Sequence, residues 1–289
     1  MPESWLERVL EIRAHRPDAI AAAAAARRPA SLGDIDRLLV VAADHPARGA
    51  LASGGDPMAM GNRVDLIDRL LVALARPGVN GVLATADVLE DLLLLGALDD
   101  KLVFGSMNRG GLAGAVYELD DRFTGYDAAA VDARGFDGGK MLLRIALDDP
   151  GAAATLQSCA AAVDALARRR RIAMVEPFWT RRVDGRLMTD LAPDAMIRAI
   201  AVASGLGATS AYTWLKVPVV EEMERVMAAS TLPALLLGGE TQNDPGEMFL
   251  RWRKALALPS VRGLVAGRNL LYPADGDVAA AVDSAADLL

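Results

Sequence analysis

Short apolar runs recur along this chain, and this recurrence constrains the fold more than any other feature of the sequence. Each run is followed by a segment with aliphatic side chains at three- and four-residue spacing, which is typical of an amphipathic helix. The runs comprise residues 37–46, 80–87, 101–108, 139–147, 171–178, 208–219, 232–240 and 261–269. Eight repeated βα units predict an α/β fold, a single (β/α)8 TIM barrel.

The segments between the runs support this prediction. They place outer helices at residues 63–77, 151–171, 192–207 and 245–259. Asp149-Pro150 and Asp244-Pro245 are typical helix starts. The alternative is an open doubly wound sheet, but no glycine-rich dinucleotide fingerprint follows the first strand. We therefore predict an N-terminal helical extension over residues 1–36 and a catalytic (β/α)8 barrel over residues 37–289.

Composition limits the classes of function. The chain is 53% hydrophobic and 24% charged, as expected for a globular protein with a large core. Its net charge of −7 disfavours nucleic-acid binding, which normally requires a positive face. The single Cys159 cannot form an internal disulfide, and the apolar stretch 20–26 is too short to span a bilayer. These features predict a cytoplasmic protein without a nucleic-acid or membrane partner.

Two lysines occupy unusual places in the chain. The 31 basic residues include only four lysines, and Lys140 and Lys216 lie inside apolar runs that predict buried strands. Burying an ammonium group costs several kcal/mol unless it is paired or loses its proton. A desolvated lysine can attack a carbonyl near neutral pH, whereas an arginine stays charged. The pattern therefore indicates Schiff-base catalysis.

In a TIM barrel the chemistry lies where the strands end, and the strand ends here are polar. Side-chain alternation directs Lys140, Lys216 and Glu176 toward the barrel interior, and Asp44 ends the first strand. Neighbouring cations lower the pKa of a lysine, and burial is expected to raise the pKa of Glu176 toward neutrality. We predict that Glu176 moves protons and that Asp44 assists. The alternative is that these residues are paired charges without a catalytic role.

Glycines and an arginine end the last two strands, where TIM barrels frequently bind phosphate. Gly238, Gly239, Gly267 and Arg268 are the predicted phosphate-binding residues.

A metal site is the competing interpretation of the acidic residues. Asp44, Glu176 and Glu240 could hold a divalent cation, but the buried lysines would compete with it. We therefore expect no metal and no cofactor.

Several segments resemble the class I, lysine-dependent aldolases of the tagatose-1,6-bisphosphate and archaeal-type fructose-bisphosphate aldolase group. WLKVPVV, GGKMLLRIALDDP and AMVEPF resemble the strand-six, strand-four and strand-five segments of that family, AADHPARGAL its opening motif, and LLLGGE and VAGRNLL its strand-seven and strand-eight phosphate motifs. The resemblance spans about residues 37–272. It implies that Lys216 forms the Schiff base, that Lys140 is accessory, that Glu176 is the acid/base and that Asp44 contacts substrate.

One departure from the family bears on the substrate. The strand-four aromatic pair of that family is replaced by Leu143-Arg144. Arg144, with Arg48 and Arg109, is therefore expected to bind a carboxylate or a second phosphate. A related barrel in inositol catabolism cleaves 5-dehydro-2-deoxygluconate 6-phosphate, whose carboxylate would suit an added arginine.

The resemblance implies cleavage of a phosphorylated ketose or keto-acid sugar to dihydroxyacetone phosphate and an aldehyde. Two alternatives stay open: a non-catalytic barrel that binds sugar phosphates, and a transaldolase- or thiolase-like transferase. Such barrels often associate through outer helices, so we expect a homo-oligomer. The long stretch 110–138 is expected to form an active-site loop or a subsidiary hairpin.

Overall fold

The structure is a computed structural model and describes residues 4–184, 186–239 and 245–289. Eight parallel strands form a closed barrel, because the β4 strand pairs with β5 as well as with β3. The strands are β1 (Leu38–Ala42), β2 (Gly81–Ala84), β3 (Leu102–Ser106), β4 (Gly138–Ile145), β5 (Ile172–Val183), β6 (Arg186–Asp190), β7 (Thr213–Pro218), β8 (Ala234–Leu237) and β9 (Val261–Ala266). The β6 strand lies outside the barrel and pairs antiparallel with β5. The predicted (β/α)8 fold is confirmed.

Helices surround the barrel. They are α1 (Trp5–His15), α2 (Asp18–Ala26), α3 (Arg63–Leu74), α4 (Ala86–Leu94), α5 (Ala128–Ala133), α6 (Gly151–Arg168), α7 (Pro193–Ser204), α8 (Met223–Met227), α9 (Pro245–Leu256), α10 (Arg268–Leu271) and α11 (Val278–Ala286). The predicted start at Asp149-Pro150 is confirmed, since Pro150 is the N-cap of α6. Asp244 lies outside the described residues. No helix in the described parts of the chain is long and apolar enough to cross a membrane.

Apolar side chains fill the lower half of the barrel. An inner cluster comprises Leu38, Val40, Ala42, Leu83, Leu102, Phe104, Ile172, Met174, Leu235 and Val265. Ala30, Leu32 and Ile35, which precede the first strand, pack against this cluster. A larger cluster lies between the strands and the surrounding helices. The amino-terminal end of the barrel interior is therefore apolar, and the polar side chains lie at its carboxyl end.

The first two helices pack on the outside of the barrel. Helix α1 begins with a capping box between Ser4 and Glu7, which satisfies main-chain donors at the helix start. Its Arg13 pairs with Asp91 of α4 at 2.7 Å between Nη2 and Oδ1. Helix α2 also packs on α4. Two helices thus precede the first barrel strand.

One element differs from the sequence-based expectation. The predicted strand ends at Phe178, whereas the fifth barrel strand runs to Val183 and pairs antiparallel with β6, a hairpin that has no counterpart in the predicted elements.

Of the two forms expected for the stretch 110–138, the structure shows the loop. This loop carries the short helix α5, and an isolated antiparallel bridge joins Asn108 and Phe123.

Candidate active site

Five ionisable side chains form one connected cluster at the carboxyl end of the barrel. Lys140 Nζ lies 3.3 Å from Asp44 Oδ2 and also contacts Glu176 Oε2. Lys216 Nζ lies 2.8 Å from Glu176 Oε1. Arg109 pairs with the same Asp44 oxygen that Lys140 approaches. The structure therefore brings together the two lysines, the glutamate and the aspartate that the sequence placed at different strands.

The sheet register sets the depth of each lysine. Lys140 pairs across the sheet with Met174, whereas Glu176 stands two residues nearer the carboxyl end of β5. The pairing of β5 with β7 places Lys216 level with Glu176. Accordingly, Lys140 is 0% exposed and Lys216 is 3% exposed on the wall of the cavity. Lys216 can therefore reach a ligand in the cavity, whereas Lys140 lies deeper in the barrel, two residues further from the carboxyl end.

A cavity of about 910 Å³ opens above this cluster. Of the predicted site residues, it is lined by Lys216, Glu176, Gly238, Gly239, Gly267, Arg268, Arg144, Arg109 and Arg48. Asp44 and Lys140 lie behind this wall. Six lining side chains are Arg or Lys and two are carboxylates, so the cavity is electropositive although the whole chain is negative. Such a cavity favours an anionic ligand.

Burial controls the charge of both lysines. It lowers the pKa of Lys216 below its ordinary value, an effect that the neighbouring Glu176 opposes only in part. The pKa of Lys140 lies well below its ordinary value because the side chain is buried and Arg109 is close. Asp44 and Glu176 carry two negative charges, which Arg109 and one protonated lysine balance, so one of the two lysines can lose its proton. Of the two, only Lys216 lies on the cavity wall, where a neutral amine could meet a ligand.

The charge state of Glu176 differs from the expectation. Burial acts to raise its pKa, but the charges of Lys140, Lys216 and Arg109 outweigh burial and hold the pKa below its ordinary value. The prediction of a carboxyl group near neutrality is therefore wrong. Desolvation alone would raise this pKa, but Lys140 and Arg109 place positive charge beside the carboxylate whether or not Lys216 carries a proton. Glu176 is therefore ionised.

The predicted phosphate-binding residues gather at one end of the cavity, which we call the phosphate pole (Gly238, Gly239, Gly267 and Arg268). The Arg268 guanidinium donates to the main-chain oxygen of Gly239 at 3.4 Å. Its Nε is buried and has no hydrogen-bond partner among the described residues. Asn269 Nδ2 donates to the Gly238 carbonyl at 2.6 Å and ties the two strand ends together. Glu240 lies outside the described residues.

Close packing at the phosphate pole leads to a testable prediction. A Cβ atom on Gly267 would lie 2.3 Å from the main-chain oxygen of Ala42, which cannot move as a side chain can. Gly267→Ala is expected to lower the free energy of unfolding by about 1–3 kcal/mol, because the two strand ends must separate. Chemical denaturation measures this. Gly55→Ala, where no atom lies within 4 Å, is the control and should leave the unfolding midpoint unchanged.

The three arginines expected to bind an anion all line the cavity, but each also has an internal partner. Arg109 contacts Asp44, and its Nε donates to Ser106 Oγ at 3.1 Å. Arg144 donates two hydrogen bonds to Asp121, from Nε to Oδ2 at 2.9 Å and from Nη2 to Oδ1 at 2.6 Å. Arg48 Nε donates to the main-chain oxygen of Gly111 at 3.0 Å.

Sequence reasoning missed several residues of the cavity wall. His45 lines the cavity with its Nδ1 3.9 Å from Asp44 Oδ1. Burial and the nearby Arg268 lower the pKa of His45 well below its ordinary value, so its imidazole is neutral. The Asp-His pair at the end of the first strand was the available signal. Arg251 and the hairpin residues Leu187–Thr189 also line the wall, and no pattern in the sequence indicated them.

The arrangement of the cluster disfavours a divalent cation between Asp44 and Glu176. Lys140 Nζ itself occupies the position between Asp44 and Glu176. Among the residues that the structure describes, no three His, Cys, Asp or Glu side chains are grouped to hold a metal ion.

Comparison with known proteins reveals one near relative. The model of the Cgl0159-like family matches residues 36–286. The crystal structure of Cgl0159 from Corynebacterium glutamicum (Brevibacterium flavum) is 53% identical in sequence, with a TM-score of 0.96. The match covers 100% of this chain and 97% of that one. No protein with a curated description matches the chain.

More distant structures share the fold alone. A Schiff-base-forming fructose-1,6-bisphosphate aldolase is 14% identical, with a TM-score of 0.67 over 93% of this chain and 99% of its own. An archaeal fructose-1,6-bisphosphate aldolase, solved with its catalytic lysine covalently bound to the carbinolamine intermediate, is also 14% identical. Its TM-score is 0.66, over 93% of this chain and 98% of its own.

Proposed function

This chain belongs to the Cgl0159-like family, and we propose that it is a class I, lysine-dependent aldolase. It cleaves a phosphorylated ketose or keto-acid sugar through a Schiff base and releases dihydroxyacetone phosphate and an aldehyde. The observation that carries this proposal is the position of Lys216. Its amine stands on the wall of an electropositive cavity, 2.8 Å from an ionised carboxylate and above a second, fully buried lysine.

In this proposal, Lys216 and Glu176 carry the covalent chemistry. The neutral Lys216 amine attacks the ketose carbonyl to form a carbinolamine, and loss of water leaves an iminium. Glu176 accepts the proton that the attacking nitrogen releases, and it returns a proton to the departing hydroxyl. The iminium then withdraws electrons as the carbon–carbon bond breaks, and a base removes the proton of the hydroxyl group beyond that bond. Hydrolysis of the remaining enamine, after protonation, frees Lys216.

Lys140 and Asp44 influence the proton transfer between Lys216 and Glu176, although neither residue lines the cavity. Lys140 contacts both carboxylates and keeps Glu176 ionised. Arg109 and Ser106 hold Asp44 in place. Lys140 thus tunes the charge state of the site without reaching the ligand, because it is fully buried.

The charges of the cavity wall support a substrate with two anionic groups. The phosphate pole suits a phosphate ester, and Arg48 and Arg144 stand elsewhere on the same wall. A sugar acid phosphate such as 5-dehydro-2-deoxygluconate 6-phosphate would bring an anionic group to each region. We propose this compound as the substrate to test first.

Trapping of the iminium tests the proposed function. Incubation with dihydroxyacetone phosphate and borohydride is expected to add one reduced adduct, found by intact-mass analysis and located by peptide mapping at Lys216. Lys254, exposed on α9, is the internal control and should remain unmodified. The adduct should form equally in EDTA. Ligand binding without an adduct would contradict the aldolase and support a non-catalytic sugar-phosphate-binding barrel, and a requirement for an acceptor during turnover would indicate a transferase.

The lowered pKa of Lys216 predicts how adduct formation depends on pH. Only the neutral amine attacks a carbonyl, so the rate should fall as pH decreases through the pKa of Lys216 and level off above it. Because burial lowers this pKa, the midpoint is expected below the 10.5 of an ordinary lysine. Trapping with cyanoborohydride over a pH series measures the midpoint. A midpoint at or above 10.5 would contradict the prediction, and circular dichroism at each pH controls for unfolding.

A further inference from the structure

We propose that Arg48 and Arg144 form a carboxylate-binding subsite and that the Glu118 side chain is its exchangeable internal ligand, which a substrate carboxylate displaces. This inference rests on the proposed function, because it concerns the non-phosphorylated end of the same substrate. It assigns to Glu118 a role in ligand selection that neither its loop position nor any motif indicates.

The contacts of Glu118 are weaker than those of its neighbour Asp121. Arg48 Nη2 and Arg144 Nη1 both stand 3.8 Å from the same Glu118 oxygen, which exceeds hydrogen-bonding distance. Asp121, by contrast, accepts two hydrogen bonds from Arg144 at 2.6 and 2.9 Å. Asp121 therefore fixes Arg144 in place, and Glu118 only neutralises the cationic edge that faces the cavity. A ligand carboxylate at hydrogen-bonding distance would interact more strongly.

Glu118 can leave without moving its loop. Arg144 Nη2 donates to the main-chain oxygen of Glu118, and the Glu118 amide donates to Ala115 O at 3.0 Å. Gly111 packs so closely that a Cβ there would lie 2.2 Å from the Glu118 carbonyl. The main chain is thus held on two sides, whereas the Glu118 side chain is 22% exposed on the cavity wall. Displacement requires a side-chain rotation and the loss of one exposed hydrogen bond, from the Gly114 amide to Glu118 Oε2 at 3.1 Å.

The charges of the subsite select a singly charged group. Arg48 and Arg144 carry two positive charges, and Asp121 permanently neutralises one of them. Once Glu118 swings away, a single positive charge remains, which matches a carboxylate and not a phosphate dianion. Burial and the nearby Arg144 lower the pKa of Arg48, which agrees with two guanidinium groups competing for few anions.

The subsite also constrains the length of the ligand. Arg144 projects from β4, and the phosphate pole lies at β8 and β9. At least two strands separate these positions in either direction around the barrel. A ligand that reaches both must therefore carry its carboxylate and its phosphate at opposite ends of an extended chain, as sugar acid phosphates do.

Isothermal titration with two matched compounds tests this inference. 6-Phosphogluconate carries both anionic groups, whereas sorbitol 6-phosphate has the same chain without the carboxylate, and neither can form an iminium. Glu118→Gln removes the competing charge but can still accept from the Gly114 amide, which lies 3.1 Å from Glu118 Oε2. The variant is expected to bind 6-phosphogluconate about fivefold more tightly and sorbitol 6-phosphate unchanged. Arg48→Met should weaken only 6-phosphogluconate.

Asp120→Asn is the matched control, because Asp120 has the same charge on the same loop but pairs with the exposed Arg122. It should change neither affinity. Equal tightening of both compounds by Glu118→Gln, or no tightening of 6-phosphogluconate, would overturn the inference. If neither compound binds the wild-type chain, the assignment of the phosphate pole as a phosphate-binding site is wrong, and the arginine subsite is left untouched by that result. Gluconate, which has the same chain and a single carboxylate but no phosphate, then decides the inference through the same comparison of wild type with Glu118→Gln.

Discussion

Lys216→Met is expected to abolish the borohydride adduct and to reduce turnover by at least about a thousandfold. Methionine keeps the length and apolar stem of the lysine but has no amine to attack the carbonyl. No other lysine can replace it, because Lys140 is fully buried one layer below the cavity wall. The release of dihydroxyacetone phosphate, measured with a coupled dehydrogenase, gives the rate.

The fold should survive this substitution. Removing Lys216 leaves Glu176 with Lys140, so no buried carboxylate loses its last cation. The thermal unfolding midpoint of Lys216→Met should therefore lie close to that of the wild type. Lys254→Met, on the exposed face of α9, controls for loss of a lysine and should retain full activity.

The comparison with Lys140→Met separates the two buried lysines. That variant should still form the adduct, although more slowly, because Lys216 retains its place on the wall and only the charge around Glu176 changes. An adduct that persists in Lys216→Met and disappears in Lys140→Met would reverse the assignment of the nucleophile. It would also mean that the sheet register does not decide which amine reaches the ligand.

Glu176→Gln is expected to lower turnover by about 10² to 10⁴, the usual contribution of a positioned acid/base group. Glutamine retains the size of the side chain but cannot accept the proton that Lys216 releases. The loss should fall on kcat more than on KM, since the phosphate pole and the arginines proposed to bind the ligand are untouched.

The same substitution should also destabilise the barrel. Glu176 is the carboxylate that both buried lysines contact, and removing one partner of a buried ion pair costs about 3–5 kcal/mol. Denaturant unfolding measures this loss, and Glu224→Gln, an exposed charge on α8, is the control. Unchanged stability together with unchanged turnover would contradict both the structural and the catalytic role of Glu176.

Much of the fold could be predicted because hydrophobic period is a local property of the chain. The eight apolar runs each correspond to a barrel strand, and the helical spacing of residues 63–77 and 151–171 corresponds to α3 and α6. The β5–β6 hairpin could not be found in this way. Its outer residues are partly exposed and alternate poorly, so its pairing depends on the neighbouring barrel strand and loop.

The candidate site was predictable to a similar degree. Alternation along β4, β5 and β7 predicted that Lys140, Glu176 and Lys216 face the barrel interior, and the structure brings them together. The partners of Arg144 were not predictable, because Glu118 and Asp121 come from a loop without periodic structure. The ionised state of Glu176 depends on basic side chains that are distant along the chain.

The sequence by itself determined that this chain forms a barrel and that two lysines and a glutamate lie inside it, because side-chain period is encoded residue by residue. Only the tertiary structure decided that Lys216 reaches the cavity while Lys140 is sealed below, and that Glu176 is charged. Both outcomes depend on the register between strands and on Coulomb interactions across the barrel. Register and distance are properties of the closed sheet and belong to no single strand.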